Sequence, residues 1–68
     1  MKAQKSREVK RAITAQGWVF LRNAPGSHEI WGLPDGSVKH SLPFGHREIS
    51  AGVLSDLAKK VTLPNEWR

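Results

Sequence analysis

Three short runs and the turns between them decide the fold: Trp18-Val19-Phe20-Leu21-Arg22, His28-Glu29-Ile30-Trp31-Gly32-Leu33 and Ser37-Val38-Lys39-His40-Ser41-Leu42. The first is aromatic, β-branched or apolar at both parities, which suits a strand with both faces at least partly covered. The second reads as a further strand. The third alternates, with Val38, His40 and Leu42 on one face and Lys39 and Ser41 on the other, and Pro43 ends it. Asn23-Ala24-Pro25-Gly26-Ser27 is a turn cluster. Pro34-Asp35-Gly36 combines a proline that presets φ with a glycine that accepts positive φ. Connections this short join neighbouring strands, so an antiparallel meander is expected.

Outward from the meander, both flanks carry helical periodicity. Val9, Ala12, Ile13 and Gln16 recur at i, i+3, i+4 and i+7, with Arg7, Lys10, Arg11 and Thr14 on the opposite side. Ser6 suits an N-cap, Glu8 the first turn, and Gly17 the stop, so a helix over about residues 6–16 is expected. After the loop Phe44-Gly45-His46-Arg47-Glu48, Ile49 and Ser50 resemble a staple and cap. Leu54, Leu57, Ala58 and Val61 then repeat at helical spacing, with Lys59 and Lys60 expected in the last turn. Pro64 stops the chain, and Trp67 is expected to fold back onto the core. The order α-β-β-β-α is solved most simply by an α+β fold in which two helices cover one face of a three-stranded antiparallel sheet. That is the architecture of the double-stranded-RNA-binding domain.

Length and composition agree. A chain of 68 residues with no cysteine and one methionine allows one small domain over residues 1–68, without disulfide, thiolate nucleophile or zinc ribbon. A core this thin makes a stable partner a live expectation. No apolar stretch approaches the ~20 residues of a membrane span, and no apolar segment follows the basic start, so a soluble cytoplasmic protein is the default. The formal charge is +5, and all of the excess lies early. Residues 1–22 hold Lys2, Lys5, Arg7, Lys10, Arg11 and Arg22 against Glu8 alone, whereas the cations and carboxylates of residues 23–68 balance. A basic surface of this kind attracts polyanions, nucleic acid foremost; a solvated helix face with a basic tail is the plainer alternative.

The reactive-looking constellation is Gly26-Ser27-His28, at the mouth of the first hairpin. Histidine both accepts and donates a proton near neutral pH. Gly26 allows a phosphate to approach the backbone, and the N–H and hydroxyl of Ser27 are donors for it. A histidine that begins a strand is more often a bystander, so the residues alone leave both readings open. His40 sits on the apolar face of its strand and reads as structural; His46 reads as a solvated loop residue. The three histidines lack the spacing of a zinc pair, and no metal or other cofactor is expected. Trp18, Phe20, Trp31 and Trp67 suit core or partner contacts better than base stacking.

Helix 1, Gly17-Trp18, an arginine ending the first strand, Gly26-Ser27-His28 with Trp31, Leu42-Pro43 and Gly52-Val53-Leu54 occur in one order. In this the sequence resembles the HicA family of toxins, mRNA interferases of bacterial and phage toxin–antitoxin pairs, over about residues 5–67. The resemblance implies a double-stranded-RNA-binding-like fold, mRNA as substrate, a single catalytic histidine at His28, and a HicB-like antitoxin that occludes it. Glu29 departs from the common pattern beside that histidine; neighbours on a strand point to opposite faces. On this reading the enzyme is a metal-independent endoribonuclease, with Arg22, Gly26 and Ser27 at the phosphoryl oxygens and Arg7, Lys10 and Arg11 along the RNA backbone. The alternatives are a non-catalytic RNA-binding module of the same fold and a protein whose basic face meets an acidic partner.

Overall fold

A computed structural model describes residues 1–68. A two-residue strand β1 (Gln4–Lys5) leads into helix α1 (Ser6–Thr14). Strands β2 (Val19–Asn23), β3 (Glu29–Gly32) and β4 (Lys39–Leu42) follow, then a short β5 (Glu48–Ile49), helix α2 (Ala51–Leu57) and a 3-10 turn over Asn65–Trp67. The central strands form an antiparallel sheet in the order β2-β3-β4, the meander expected from the two short turns. The fold is α+β, with the helices packed against this sheet.

The helical periodicities describe the core directly. Val9 and Ile13 of α1 and Leu54 and Leu57 of α2 are fully buried together with Leu42 and Ile49, and Trp18, Phe44, Val61, Leu63 and Trp67 complete the cluster. Trp67 folds back as expected, and its carbonyl accepts the N–H of Lys2. Gln16, last in the apolar stripe of α1, does a different job. Its amide accepts from Thr62 N–H at 2.9 Å and donates to Thr62 carbonyl at 2.6 Å, clamping the segment after α2 to the end of α1.

Several local expectations are corrected. The first strand was expected to be covered on both faces, yet Val19 and Phe20 are exposed. β2 is an edge strand and the helices cover only one face, so the buried aromatic is Trp18, just before it. A bulge at Leu21 also breaks the alternation: Phe20 pairs with Trp31, but Arg22 pairs with Ile30. Residues 20 and 22 therefore lie on opposite faces. Helix α1 ends at Thr14, and Ala15–Gly17 form a turn. Ser6 is its first residue rather than its cap; the Ser6 hydroxyl donates to the His46 carbonyl and its N–H to the Arg47 carbonyl at 2.8 Å. Lys59 and Lys60 lie past the end of α2, where Lys60 Nζ donates to the Lys39 carbonyl at 2.6 Å.

Ser50 does cap α2, its hydroxyl oxygen accepting from Val53 N–H at 3.3 Å. Ser50→Ala leaves that donor without its partner. It is expected to cost about 1 kcal/mol and to lower the melting temperature by roughly 4–8 °C, measured by thermal circular dichroism.

Candidate active site

The β2–β3 turn presents His28. Gly26 holds φ +73°, a left-handed conformation that side chains disfavour, and Ala24 N–H closes the turn on the His28 carbonyl at 3.0 Å. Gly26, Ser27 and His28 are all exposed, so the imidazole stands in solvent beside the turn. The turn is braced from the β4–β5 loop. Gly45 N–H donates to the Ser27 carbonyl at 2.8 Å, and a β-carbon on Gly45 would lie 2.5 Å from Ser27 Cβ and 3.0 Å from Ser27 Cα. Only glycine fits there.

Glu29 does not orient His28. Its carboxylate accepts from Trp31 Nε1 at 2.8 Å and lies 4.0 Å from Lys10 Nζ. Glu29 and Trp31 share the helix-facing side of β3, as expected for residues two apart. Lys10 Nζ also stands 5.0 Å from the Phe44 ring centroid and 6.0 Å from that of Trp31, which itself packs edge-on against Phe44 at 5.6 Å. Each cation–π contact is worth about 0.5–1 kcal/mol when partly exposed. Lys10 is thus a half-buried tie between α1 and the sheet as well as a surface charge.

The other sequence-identified cations are freer. Arg22 is exposed and opposite Ile30, on the sheet face away from Glu29 and Trp31. Arg7 and Arg11 each approach Glu8 only to 4.0 Å with highly exposed side chains, a geometry that contributes little. Arg7 and Lys10 line an open cleft with Lys5, Ser6 and Arg47; Arg11 does not. Lys5 belongs to the early group of cations that the sequence shows, whereas Gly45 and Arg47 carried no local signal, because what places them is contact with residues far along the chain. No three His, Asp or Glu side chains converge in a group that would hold a metal ion.

His46 is an exposed loop residue that contributes its carbonyl to Ser6. His40 stands opposite Trp31 with its Nδ1 buried and unpartnered. Burial, followed by the nearby Lys60 charge, pushes its pKa below the ordinary 6.5, against a smaller pull from Asp56. The unfolded chain therefore binds this proton more tightly than the folded one. Stability is full above about pH 6.5 and falls as the pH drops through that value. The melting temperature is expected to decline from about pH 7 to pH 5, and to decline less in His40→Gln. An equal decline in both would show that other groups carry the effect.

A family model described as the HicA toxin of bacterial toxin–antitoxin systems matches residues 6–63. Comparison with curated proteins and with solved structures gives no match.

Proposed function

We infer, because the chain belongs to the HicA toxin family of bacterial toxin–antitoxin systems, that it is a metal-independent endoribonuclease that cleaves mRNA with His28 and is neutralised by a HicB-like antitoxin. The observation that carries this reading is the solvent-exposed imidazole of His28, set beside a Gly26-Ser27 turn whose shape is fixed by Gly45.

RNA supplies its own nucleophile. The ribose 2′-oxygen attacks the adjacent phosphorus, the bond from phosphorus to the 5′-oxygen breaks, and the products carry a 2′,3′-cyclic phosphate and a 5′-hydroxyl. One proton leaves the 2′-hydroxyl and one reaches the departing 5′-oxygen. His28 serves one of these transfers as general base or general acid, and water serves the other. Help of this kind accelerates a reaction by about 10² to 10⁴-fold. Ser27, through its hydroxyl and N–H, and Arg22, from the neighbouring strand, supply donors for the phosphoryl oxygens, while Gly26 leaves room for them. Arg7, Lys10 and Arg11 hold the backbone without reading sequence. A single histidine in an open site suits slow, weakly specific cleavage.

Induction of the toxin without its antitoxin tests the reading. Fragmented transcripts, restored to full length by co-expression of the antitoxin, are the expected outcome. Growth arrest with intact transcripts would instead identify a non-catalytic RNA-binding module.

A further inference from the structure

Lys5, Arg7, Lys10 and Arg47, with Ser6, enclose an open cleft of about 560 Å³ that has no apolar side chain in its lining. Three separate parts of the chain build it: β1, α1 and the loop before β5. They are stitched together at Ser6, whose N–H and hydroxyl donate to the carbonyls of Arg47 and His46. The backbone of the loop is thereby fixed while the Arg47 side chain stays exposed. Neither Lys5 nor Arg47 has a carboxylate within 4.0 Å, and those of Arg7 and Lys10 lie at the 4.0 Å limit. The four cations repel one another and are only partly neutralised, so the cleft is suited to an external anion.

The lining chooses between anions. A protein interface has an apolar or aromatic centre with a charged rim. Phosphates are held by lysine, arginine and serine, the residue types present here. The position of the cleft adds a second constraint. Arg47 is two residues past Gly45, at most about 7 Å of chain, and Gly45 is bonded to Ser27 beside His28.

We propose that this cleft binds the RNA backbone next to the phosphate held at His28, and that Lys5 and Arg47 are substrate-binding residues of the toxin. The inference rests on the endoribonuclease reading for the identity of the strand. The cleft contributes to substrate affinity and not to the chemical step.

The test uses Lys5→Gln/Arg47→Gln, both side chains exposed and outside the core. In a His28→Ala background, a short fluorescent single-stranded RNA is titrated at several salt concentrations. The double variant is expected to bind about 10-fold more weakly, with a log–log salt slope shallower by about 1.4. With His28 intact, KM for an RNA oligonucleotide rises by a similar factor and kcat stays within about twofold. Arg47→Lys retains the charge and should keep most of the slope, which a purely structural role for Arg47 would not produce. Unchanged RNA affinity and slope would overturn the proposal. So would weakened antitoxin binding with unchanged RNA binding, which would make the cleft a docking site for an acidic protein. If the cleft variant weakens RNA binding but His28→Ala still cleaves, the cleft stands and the catalytic role of His28 falls.

Discussion

His28→Ala is expected to lower RNA cleavage by about 10² to 10⁴-fold and to leave the fold intact. The two halves of that expectation have separate physical grounds. The imidazole is exposed and belongs neither to the core nor to any side-chain hydrogen bond. The main-chain bond that closes its turn, from Ala24 N–H to the His28 carbonyl, survives the substitution. Changes at such surface positions usually alter stability by no more than about 0.5 kcal/mol. The chemistry has no replacement, because neither His40, with its buried ring nitrogen, nor His46, on another loop, belongs to the turn. Cells expressing the variant without antitoxin should grow, and the purified variant should melt within a few degrees of the wild type. Full toxicity in the variant would remove His28 from the mechanism.

Gly45→Ala is expected to damage catalysis from a distance. Its new methyl group would lie 2.5 Å from Ser27 Cβ and 3.0 Å from both Ser27 Cα and the Ser27 carbonyl oxygen. Two of those atoms are main chain and cannot rotate aside. Either the turn moves by about 1 Å or the Gly45–Ser27 hydrogen bond breaks, and misplacement of that size costs up to about 10²-fold in rate. The loss should appear mainly in kcat, with a smaller effect on RNA affinity, the reverse of the pattern expected for Lys5 and Arg47. Gly52→Ala is the matched control. Nothing lies within 4 Å of the added carbon and the site is helical, so stability is expected to hold or rise slightly and cleavage to be unchanged.

What was legible in the sequence is what local chemistry encodes. The turn residues around Gly26 and Gly36 announced the meander, the 3.6-residue spacing of Val9 to Ile13 and Leu54 to Leu57 gave both helices, and Ser50 read correctly as a cap. The Gly26-Ser27-His28 turn and the basic face of α1 stood out for the same reason. Long-range contacts were not legible. The β1–β5 pairing joins two residues to two others more than forty positions away, too short for any periodicity to show. Ser6 looked like a cap because the His46 carbonyl that takes its hydroxyl is invisible from local sequence. The bulge at Leu21, the fit of Gly45 on Ser27 and the seating of Lys10 over Phe44 and Trp31 are likewise products of packing. Arg47, in a loop with balanced charge, gained its meaning only once that loop was placed beside α1.

The most direct measurement is product analysis on two oligonucleotides of one sequence, RNA and its all-2′-deoxy counterpart, incubated with purified toxin in excess chelator. Intramolecular attack assisted by His28 gives fragments from the RNA alone, ending in 2′,3′-cyclic phosphate and beginning with 5′-hydroxyl. Cleavage of the deoxy strand, or RNA left whole until a divalent metal is supplied, would contradict it.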